Sequence, residues 1–593
     1  MNILGVHTGH DAAAALFVNG ELVASCKEER LTRMKNDGIK RRDSGRLLLY
    51  AVDEVLQIAG LNVSEIDMMV LSRSYLPARF FRKTARMIRD LPRRLRNKPF
   101  GLTMQMHRLN EKDEAAIIDI DKLKAELGLR DDCKVQFANH HFSHVLCSFR
   151  YTTWEKDALY ISADGGGDFI TYSAYGYDGE QLQCLQGGDQ FIWQPLGNRY
   201  AASIGQAYSF VTRLLGFRPN RHEGKLTGLA AFGKPVFGED IRSQFVISED
   251  GSIESRFDSS AALLSYLKDL TARCTREEMA SSIQYVTEHV LIDWIKVLMK
   301  RFPARYIGMS GGVFSNVRLN QFVAELEGVE DVFVFPAMGD EGLPVGNCVQ
   351  GMINENGLAS ISRSVMRDVY LGREYSGEQL MRRAQERSFD VQSSVNAAVD
   401  AAALLAEDHI GAIFSQRMEM GPRALGARSI IASPSDRGLN DSLNDRLERT
   451  EFMPFAPYVL DEDAERVFDI DDRNRQACRF MTITTGVKEA FRDSIQAVVH
   501  VDNTARPQIV ERDTNPLYYD ILKNFRDQTG LPCLVNTSFN AHEEPIINTP
   551  DEALRALADR RIDFLVCDQG LIFRQGNTLV PRANSQSDSG VDA

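Results

Sequence analysis

Three histidines fall within five residues, at His140, His141 and His144. On a helix, His140 and His144 would project from one face, because they are four residues apart. Two imidazoles placed in this way can share a metal ion. The alternative is a pair of hydrogen-bonded core histidines near a helix start, but the i, i+4 pair with a third neighbour favours metal binding. The glutamate of an HExxH zinc peptidase is absent, so peptidase chemistry is disfavoured and further ligands must come from elsewhere.

Small and polar residues follow two predicted strands and suit a bound nucleotide or metal. The run Ser310-Gly311-Gly312, between a strand and a helix, lets backbone N–H groups approach a phosphate or a nucleoside. Asp340 follows a predicted strand at residues 331–335, where α/β folds place their ligands. We interpret it either as a helix N-cap or as a metal ligand.

The second half of the chain places arginines near small polar residues. Arg417, Arg423 and Arg428 lie close together in the sequence, and guanidinium groups suit bidentate phosphate recognition. The alternative is ordinary ion pairing with the acidic residues nearby. Ser538 and Asn540, after a predicted strand, offer a hydroxyl and an amide to the same ligand. Together these residues predict a second site, for a phosphorylated compound.

The elements that must position these groups form an α/β pattern with an internal repeat. A strand, a polar turn and a hairpin occur at residues 2–26 and again at residues 158–185, with Asn-Gly and Asp-Gly as the hairpin turns. The repeat predicts a duplicated α/β domain whose polar turns face each other across a nucleotide cleft, as in actin and sugar kinases. We predict this domain at residues 1–355, a polar linker, a second α/β domain at residues 366–576 and a disordered tail at residues 577–593.

Composition disfavours several classes of protein. The chain has 593 residues, so two or more domains are expected, and its net charge of −13 disfavours broad nucleic-acid binding. Nine cysteines without a CxxC pair indicate a reducing cytoplasm, and no apolar stretch approaches the roughly 20 residues of a membrane-spanning helix. The N-terminus lacks the basic region of a signal peptide. Residues 77–99 carry nine basic side chains and one acidic side chain. This segment can be interpreted as a phosphate lid, as a membrane-surface helix or as a solvated helical insertion, and we favour the insertion.

Taken together, the motifs resemble those of the O-carbamoyltransferase family. The matching segments span nearly the whole chain in family order: HHFSH at 140–144, DGGGD at 164–168, EGKLTGLA at 223–230, SGGV at 310–313, GDEG at 339–342, MEMGPRALGARS at 418–429, FMPFAP at 452–457 and NTSFN at 536–540. The resemblance implies an actin-like first domain and a second domain similar to threonylcarbamoyl-adenylate synthase. It also implies that carbamoyl phosphate and ATP give carbamoyl-adenylate in the second domain. The first domain then transfers the carbamoyl group to a hydroxyl of a small-molecule acceptor, such as a sugar or natural product.

The resemblance also assigns residues. It implies a divalent metal held by His140, His144, Asp164 and Asp340, with iron the expected ion and manganese or magnesium the alternatives. It places the nucleotide of the first domain at Gly165, Gly166, Gly167, Ser310, Gly311, Gly312 and Asn316. It places His10, Lys35 and Arg73 beside the acceptor, with His10 as a candidate base. It assigns carbamoyl phosphate and ATP in the second domain to Arg417, Arg423, Arg428, Arg449, Arg506, Ser538 and Asn540.

The chain departs from the family pattern at two places. Many members carry a lysine just before the Pro-Phe-Ala-Pro segment, where this chain has Arg446 and Arg449. Asp168 stands where a glutamate is more usual.

Two other functions are weighed against carbamoyl transfer: a threonylcarbamoyl-type tRNA-modifying enzyme, which the charge of −13 does not support, and a non-catalytic nucleotide-binding regulator. The resemblance is compatible with a homodimer and does not identify the acceptor.

Overall fold

The computed structural model describes residues 1–39, 49–82, 98–195, 197–448 and 454–576. Within these residues, the first part of the chain contains seven strands: β1 (Asn2–His7), β2 (Ala13–Val18), β3 (Glu21–Lys27), β4 (Met68–Ser72), β5 (Tyr75–Pro77), β6 (Pro99–Gly101) and β7 (Lys134–Ala138). Its described helices are α1 (Glu28–Thr32), α2 (Tyr50–Ala59), α3 (Leu102–Leu109), α4 (Glu114–Ile117), α5 (Ile120–Leu127) and α6 (His140–Arg150).

The next part repeats this arrangement. Its strands are β8 (Ala158–Gly167), β9 (Ile170–Tyr177), β10 (Leu182–Gln186), β11 (Phe245–Ile247), β12 (Ile253–Ser255), β13 (Tyr306–Ser310) and β14 (Asp331–Val334). Its helices are α7 (Ile204–Leu214), α8 (Glu223–Ala230), α9 (Gly238–Arg242), α10 (Ser260–Thr271), α11 (Arg276–Arg301), α12 (Val317–Ala324) and α13 (Leu343–Asn356).

Two five-stranded sheets have the same order and the same strand directions. The first runs β3-β2-β1-β4-β7 and the second β10-β9-β8-β13-β14. In each sheet the first three strands of the half form antiparallel pairs and the remaining pairs are parallel. The predicted duplicated actin-like domain is therefore confirmed, and the Asn19-Gly20 and Asp178-Gly179 turns join the expected hairpin strands.

Helices α6 and α13 pack against each other between the two sheets. Gly346 on α13 allows this close approach, because a Cβ atom there would lie 1.9 Å from the carbonyl oxygen of Ser143. Ser143 Oγ and Asn347 Oδ1 are hydrogen-bonded at 2.8 Å at the same contact, and Asn347 Nδ2 donates to the carbonyl oxygen of Val6. The helix that carries the histidine cluster is thus fixed to both halves of the domain.

The remaining chain forms a second α/β domain. Its strands are β15 (Tyr370–Glu374), β16 (Asp390–Ser393), β17 (Gly411–Phe414), β18 (Arg417–Glu419), β19 (Arg428–Ala432), β20 (Ala456–Leu460), β21 (Thr485–Gly486), β22 (Thr504–Ala505), β23 (Gln508–Val510), β24 (Cys533–Ser538), β25 (Phe564–Cys567) and β26 (Gly570–Phe573). Its helices are α14 (Gly377–Glu386), α15 (Ala397–Ala406), α16 (Leu439–Arg446), α17 (Asp461–Val467), α18 (Arg475–Cys478), α19 (Glu489–Arg492), α20 (Pro516–Thr529) and α21 (Pro550–Ala558). Eight strands make one mixed sheet in the order β16-β26-β25-β17-β19-β24-β20-β23. The resemblance of this domain to threonylcarbamoyl-adenylate synthase stays a prediction.

Several sequence predictions fall at or beyond the edges of what the structure describes. The ends of the basic segment 77–99 pair as β5 and β6, with Pro77 opposite Pro99, while residues 83–97 lie outside the described part of the chain. The predicted tail at residues 577–593 lies outside it as well. In the described ranges, no helix is both long enough and apolar enough to cross a membrane.

Candidate functional site

Four side chains predicted as metal ligands come together between the two halves of the first domain. One ligand atom from each of His140, His144, Asp164 and Asp340 lies within 4.8 Å of the other three. The Nε2 atoms of His140 and His144 lie 3.4 and 3.3 Å from Asp164 Oδ2, and each lies 3.6 Å from Asp340 Oδ1. Two imidazoles and two carboxylates in this arrangement can hold a divalent transition metal.

The electrostatics of the cluster fit a cation. Burial opposes ionisation of Asp164 and Asp340, yet the neighbouring histidines hold the pKa of both carboxyls below its usual range. Burial lowers the pKa of His144, but the two carboxylates outweigh it and raise that pKa to about 9. Within the described residues, His144 Nε2 is buried without a well-formed hydrogen bond, which leaves this atom for a metal ion.

Neighbouring groups orient the ligands. Ser310 Oγ lies 3.3 Å from His144 Nδ1, on the ring edge opposite Nε2. Asp168 Oδ2 accepts a hydrogen bond from the backbone N–H of His140 at 2.9 Å, and Asn139 Oδ1 accepts from Phe142 N–H at the same helix start. Hydrogen bonds of this kind fix the ring orientation of ligating histidines.

His141, the third histidine of the cluster, has a structural position. Its ring is fully buried, with Nδ1 2.9 Å from Ser162 Oγ and Nε2 2.9 Å from the carbonyl oxygen of Ile170. Burial lowers its pKa to about 3, so the ring is neutral at pH 7. It joins helix α6 to the β8–β9 hairpin.

His10 lies beside the four-residue cluster. Its Nε2 is 3.4 Å from Asp340 Oδ2 and its Nδ1 is 3.4 Å from Asp11 Oδ2, and the side chain is 52% exposed. The charge of Asp340 is the main cause that raises the pKa of His10 to about 10. Asp11 in turn accepts hydrogen bonds from Lys27 Nζ and Asn36 Nδ2. The His10 ring is therefore exposed to the cavity, and its two nitrogen atoms lie beside the carboxylates of Asp11 and Asp340.

A cavity of about 760 Å³ joins this cluster to the second domain. On the first-domain side it is bordered by predicted residues His10, Lys35, Asp164, Gly165, Gly166, Gly312, Asn316 and Asp340. On the second-domain side it is bordered by Arg423, Arg506, Ser538 and Asn540. The sequence predicted two sites, and the structure gives them one continuous space.

Three residues predicted at the first-domain site have other positions. Ser310 is fully buried beneath His144 instead of beside a nucleoside. Gly167 packs against His140, and Gly311 packs against the backbone of Ala163, so neither of them borders the cavity. The three residues support the cluster from inside the fold, and their predicted role in nucleotide binding stays a prediction.

Arg73 was predicted beside the acceptor, and the structure places it behind helix α6. Its guanidinium donates two hydrogen bonds to Asp189, at 2.7 and 2.9 Å, and one to Glu114 at 2.9 Å. Its Nη1 is also 4.0 Å from Asp168 Oδ2, the atom that holds the N–H of His140. Arg73 does not border the cavity. These contacts place Arg73 where it can position Asp168, and its predicted place beside the acceptor stays a prediction.

Two arginines predicted to bind phosphate donate hydrogen bonds to the protein backbone, although Nε and Nη2 of Arg428 are buried without a hydrogen-bond partner in the part of the chain that the structure describes. Arg417 donates to the carbonyl oxygens of Gly372, Leu371 and Val23. Arg428 is fully buried, lies 3.8 Å from the centre of the Phe414 ring and donates to the carbonyl oxygens of Ser415 and Ala427. Neither borders the cavity, and the predicted phosphate contacts of both stay predictions. Arg449 lies outside the described residues.

Sequence reasoning missed a cluster at the edge of the cavity. Glu543 of the second domain binds Arg218 and Arg221 of the first domain at 2.8 and 2.7 Å through Oε2, and His222 Nε2 at 2.5 Å through Oε1. His542 adds a fourth basic group at 3.8 Å. The set suits a metal poorly, because His222 Nδ1 accepts a hydrogen bond from Arg218 N–H and Nε2 must then carry the proton. It joins the two domains. The only signal in the sequence was the basic run at residues 218–222, far from Glu543.

Comparison with known proteins gives matches over most of the chain. A family model described as Carbamoyltransferase N-terminus matches residues 2–349, and one described as Carbamoyltransferase C-terminus matches residues 402–574. An uncharacterized protein of Methanocaldococcus jannaschii is 31% identical over 464 residues, which are 74% of each chain. An uncharacterized protein of Synechocystis sp. is 30% identical over 96% of each chain. Nodulation protein NolNO of Sinorhizobium fredii is 29% identical over 95% of this chain and 79% of its own.

Proposed function

The chain belongs to the carbamoyltransferase family and is a carbamoyltransferase, and from this premise we propose how it works. It activates carbamoyl phosphate with ATP at the second-domain end of the cavity, and it transfers the carbamoyl group to a hydroxyl acceptor at the first-domain end. The observation that carries the proposal is the single cavity bordered both by His10, Asp164 and Asp340 and by Arg423 and Arg506.

The activation half uses groups that bind phosphates. Arg423 and Arg506 border the cavity from two separate loops of the second domain, and Ser538 and Asn540 border it from the end of strand β24. Two guanidinium groups with a hydroxyl and an amide form a donor set for phosphate oxygens. Water first splits carbamoyl phosphate into carbamate and phosphate. A carbamate oxygen then bonds to the α-phosphorus of ATP while the bond to pyrophosphate breaks, which gives carbamoyl-adenylate.

The transfer half lies at the histidine and carboxylate cluster. His140, His144, Asp164 and Asp340 would hold a divalent metal, which when bound supplies Lewis-acid polarisation of the carbamoyl group. The acceptor oxygen attacks the carbamoyl carbon, and the bond to the adenylate phosphate breaks with AMP as the leaving group. His10 borders the cavity and is the group placed to take the hydroxyl proton. It can do so only when neutral, so another cation must offset the charge of Asp340.

The acceptor is proposed to be a small molecule. The transfer end of the cavity lies between the two halves of one domain, and its polar wall, with Lys35 and Asn316 among its residues, suits a sugar or another hydroxylated compound. A tRNA acceptor would need a basic surface, and the net charge of −13 does not supply one.

Two variants separate the half-reactions. Pyrophosphate release is measured with ATP, carbamoyl phosphate and a divalent metal, and carbamoyl transfer is measured with radiolabelled carbamoyl phosphate and a panel of sugars. We expect Arg506→Ala to abolish pyrophosphate release, because the substitution removes a phosphate ligand. We expect His140→Ala to retain pyrophosphate release and to lose transfer.

Arg437→Ala is the matched control, since Arg437 is an exposed arginine of the same domain that does not border the cavity. It should leave both activities unchanged. The absence of pyrophosphate release from folded wild-type protein with several metals would refute the mechanism. Equal loss of pyrophosphate release in His140→Ala and Arg506→Ala would refute the division between the two ends of the cavity.

A further inference from the structure

A smaller cavity of about 320 Å³ lies against the main cavity. Among the described residues, five border both spaces: Thr227, Val317, Pro454, Phe455 and Arg506. The rest of its described wall comes from helix α11, the end of helix α8 with the loop after it and Arg318 in the first domain, and from residues 484–505 in the second domain. No residue of the histidine and carboxylate cluster borders it. The smaller cavity therefore adjoins the end of the main cavity where activation is proposed.

Glu288 on helix α11 gives this cavity a carboxylate. Its Oε1 accepts a hydrogen bond from Gln284 Nε2 at 2.8 Å, and burial raises the pKa of its carboxyl. Arg318 borders the same cavity and its charge acts to lower the pKa of Glu288, but its guanidinium pairs with Asp502, and no ion pair to Glu288 occurs among the described residues. A partly buried carboxylate without a cation partner is best satisfied by the O–H or N–H groups of a ligand.

The neighbouring Gln284 is locked in one orientation. Its Oε1 accepts hydrogen bonds from Asn316 Nδ2 at 2.9 Å and from Tyr208 O–H at 3.0 Å. Its Nε2 must therefore point away from those donors, toward Asn316 Oδ1 and Glu288 Oε1. This fixed amide holds one oxygen of Glu288 in place and leaves the other for a ligand.

The chemistry of the wall specifies a class of ligand. Glu288 suits hydroxyl donors, Arg506 suits an anion, and Val317, Phe455 and Val498 offer apolar surface between them. A ligand with a diol, an apolar ring and a phosphate matches this set, and nucleotide-binding folds commonly bind ribose hydroxyls with a carboxylate. We propose that the smaller cavity holds the nucleoside of ATP, with the ribose hydroxyls donating to Glu288 and the phosphates directed toward Arg506. The inference rests on the proposed use of ATP, and it assigns a residue of the first domain to the activation step of the second.

A sugar acceptor offers the same hydroxyl chemistry. It fits the position less well, because His10 and the metal-ligand carboxylates border only the main cavity. An acceptor in the smaller cavity would lie on the far side of the wall formed by Phe455 and Arg506. The position of the smaller cavity thus favours the nucleoside of ATP over a sugar acceptor, and the experiment below distinguishes these two ligands.

The test is calorimetric titration of the full chain with ATP. We expect Glu288→Gln to weaken ATP binding about tenfold, because a hydrogen bond to a charged group becomes one to a neutral group. The matched control is Glu325→Gln, since Gln321 Nε2 donates to Glu325 Oε1 at 2.8 Å with the same spacing on an exposed helix end. It should bind ATP as the wild type does.

A second ligand identifies the contact. The wild type should bind 2′,3′-dideoxy-ATP about as weakly as the Glu288→Gln variant binds ATP, and the substitution should then cause no further loss. The inference is overturned if Glu288→Gln binds ATP as tightly as the wild type does. It is also overturned if the substitution weakens binding of the dideoxy analogue as much as it weakens binding of ATP. Weakened binding of a sugar panel with unchanged ATP binding would assign the cavity to the acceptor instead. Because binding is read without turnover, failure of pyrophosphate release would count against the proposed function and not against this site.

Discussion

Gly167→Ala tests whether the histidine and carboxylate cluster is a metal site. A Cβ atom at residue 167 would lie 2.2 Å from His140 Cγ and 2.3 Å from its Cδ2. Ordinary carbon contacts need about 3.5 Å, so the ring or strand β8 must move by about 1 Å. Metal–ligand distances tolerate only about 0.2 Å. Overpacking usually costs ~1–3 kcal/mol. If this cost falls on the metal-bound form of the protein, metal affinity should fall by about tenfold to a hundredfold.

The assay is titration of metal-free protein with Co²⁺, followed by the visible absorption that imidazole and carboxylate ligands produce. Gly165→Ala is the matched control, because no atom lies within 4 Å of a Cβ at that position on the same turn. It should bind Co²⁺ as the wild type does. If Gly167→Ala keeps wild-type Co²⁺ affinity while folding normally, His140 does not ligate a metal and the argument from the cluster fails.

Two further changes probe the groups around the site. Asp168→Ala should lower the free energy of unfolding by about 1–2 kcal/mol in urea, because the N–H of His140 loses the carboxylate at the start of helix α6, and it should also weaken Co²⁺ binding; unchanged stability would show that the contact is dispensable. Arg428→Met should lower the free energy of unfolding by about 1–3 kcal/mol, because the carbonyl oxygens of Ser415 and Ala427 lose their donor. Arg423→Met, at the cavity, should instead raise the KM for carbamoyl phosphate with little change in urea unfolding; the reverse pattern for the two arginines would contradict their placement.

The parts of the fold that sequence could predict are those specified by local pattern. Asn-Gly and Asp-Gly between alternating apolar residues specify hairpins directly, so the repeat was visible without long-range information. The spacing of His140 and His144 is likewise local, because a helix places them on one face whatever surrounds it. Asp340 could be placed near them only through the general rule that ligands gather at strand ends.

The contacts that the sequence did not foresee share a different cause. Arg417 donates to the carbonyl oxygen of Val23, which lies 394 positions away, and Arg73 pairs with Asp189, which lies 116 positions away. A guanidinium group can donate to a carbonyl, a carboxylate or a phosphate oxygen, so the sequence near an arginine does not say which of these it meets. Burial and the position of distant segments decide that question. Arg423 and Arg428 lie in one short motif, yet only Arg423 borders the cavity.

The same reasoning explains why the site needs both domains in contact. Arg33 of the first domain donates to the carbonyl oxygens of Pro545 and Ile546, and Glu543 accepts from Arg221 and His222 across the same boundary. These bonds tie the walls of the main cavity together, so each domain supplies groups that the other lacks. An activated carbamoyl group that formed in an isolated second domain would meet water before it met an acceptor. In the proposed two-step reaction, the contacts across the boundary would serve the chemistry as well as stability, since they join both ends of the reaction in one cavity.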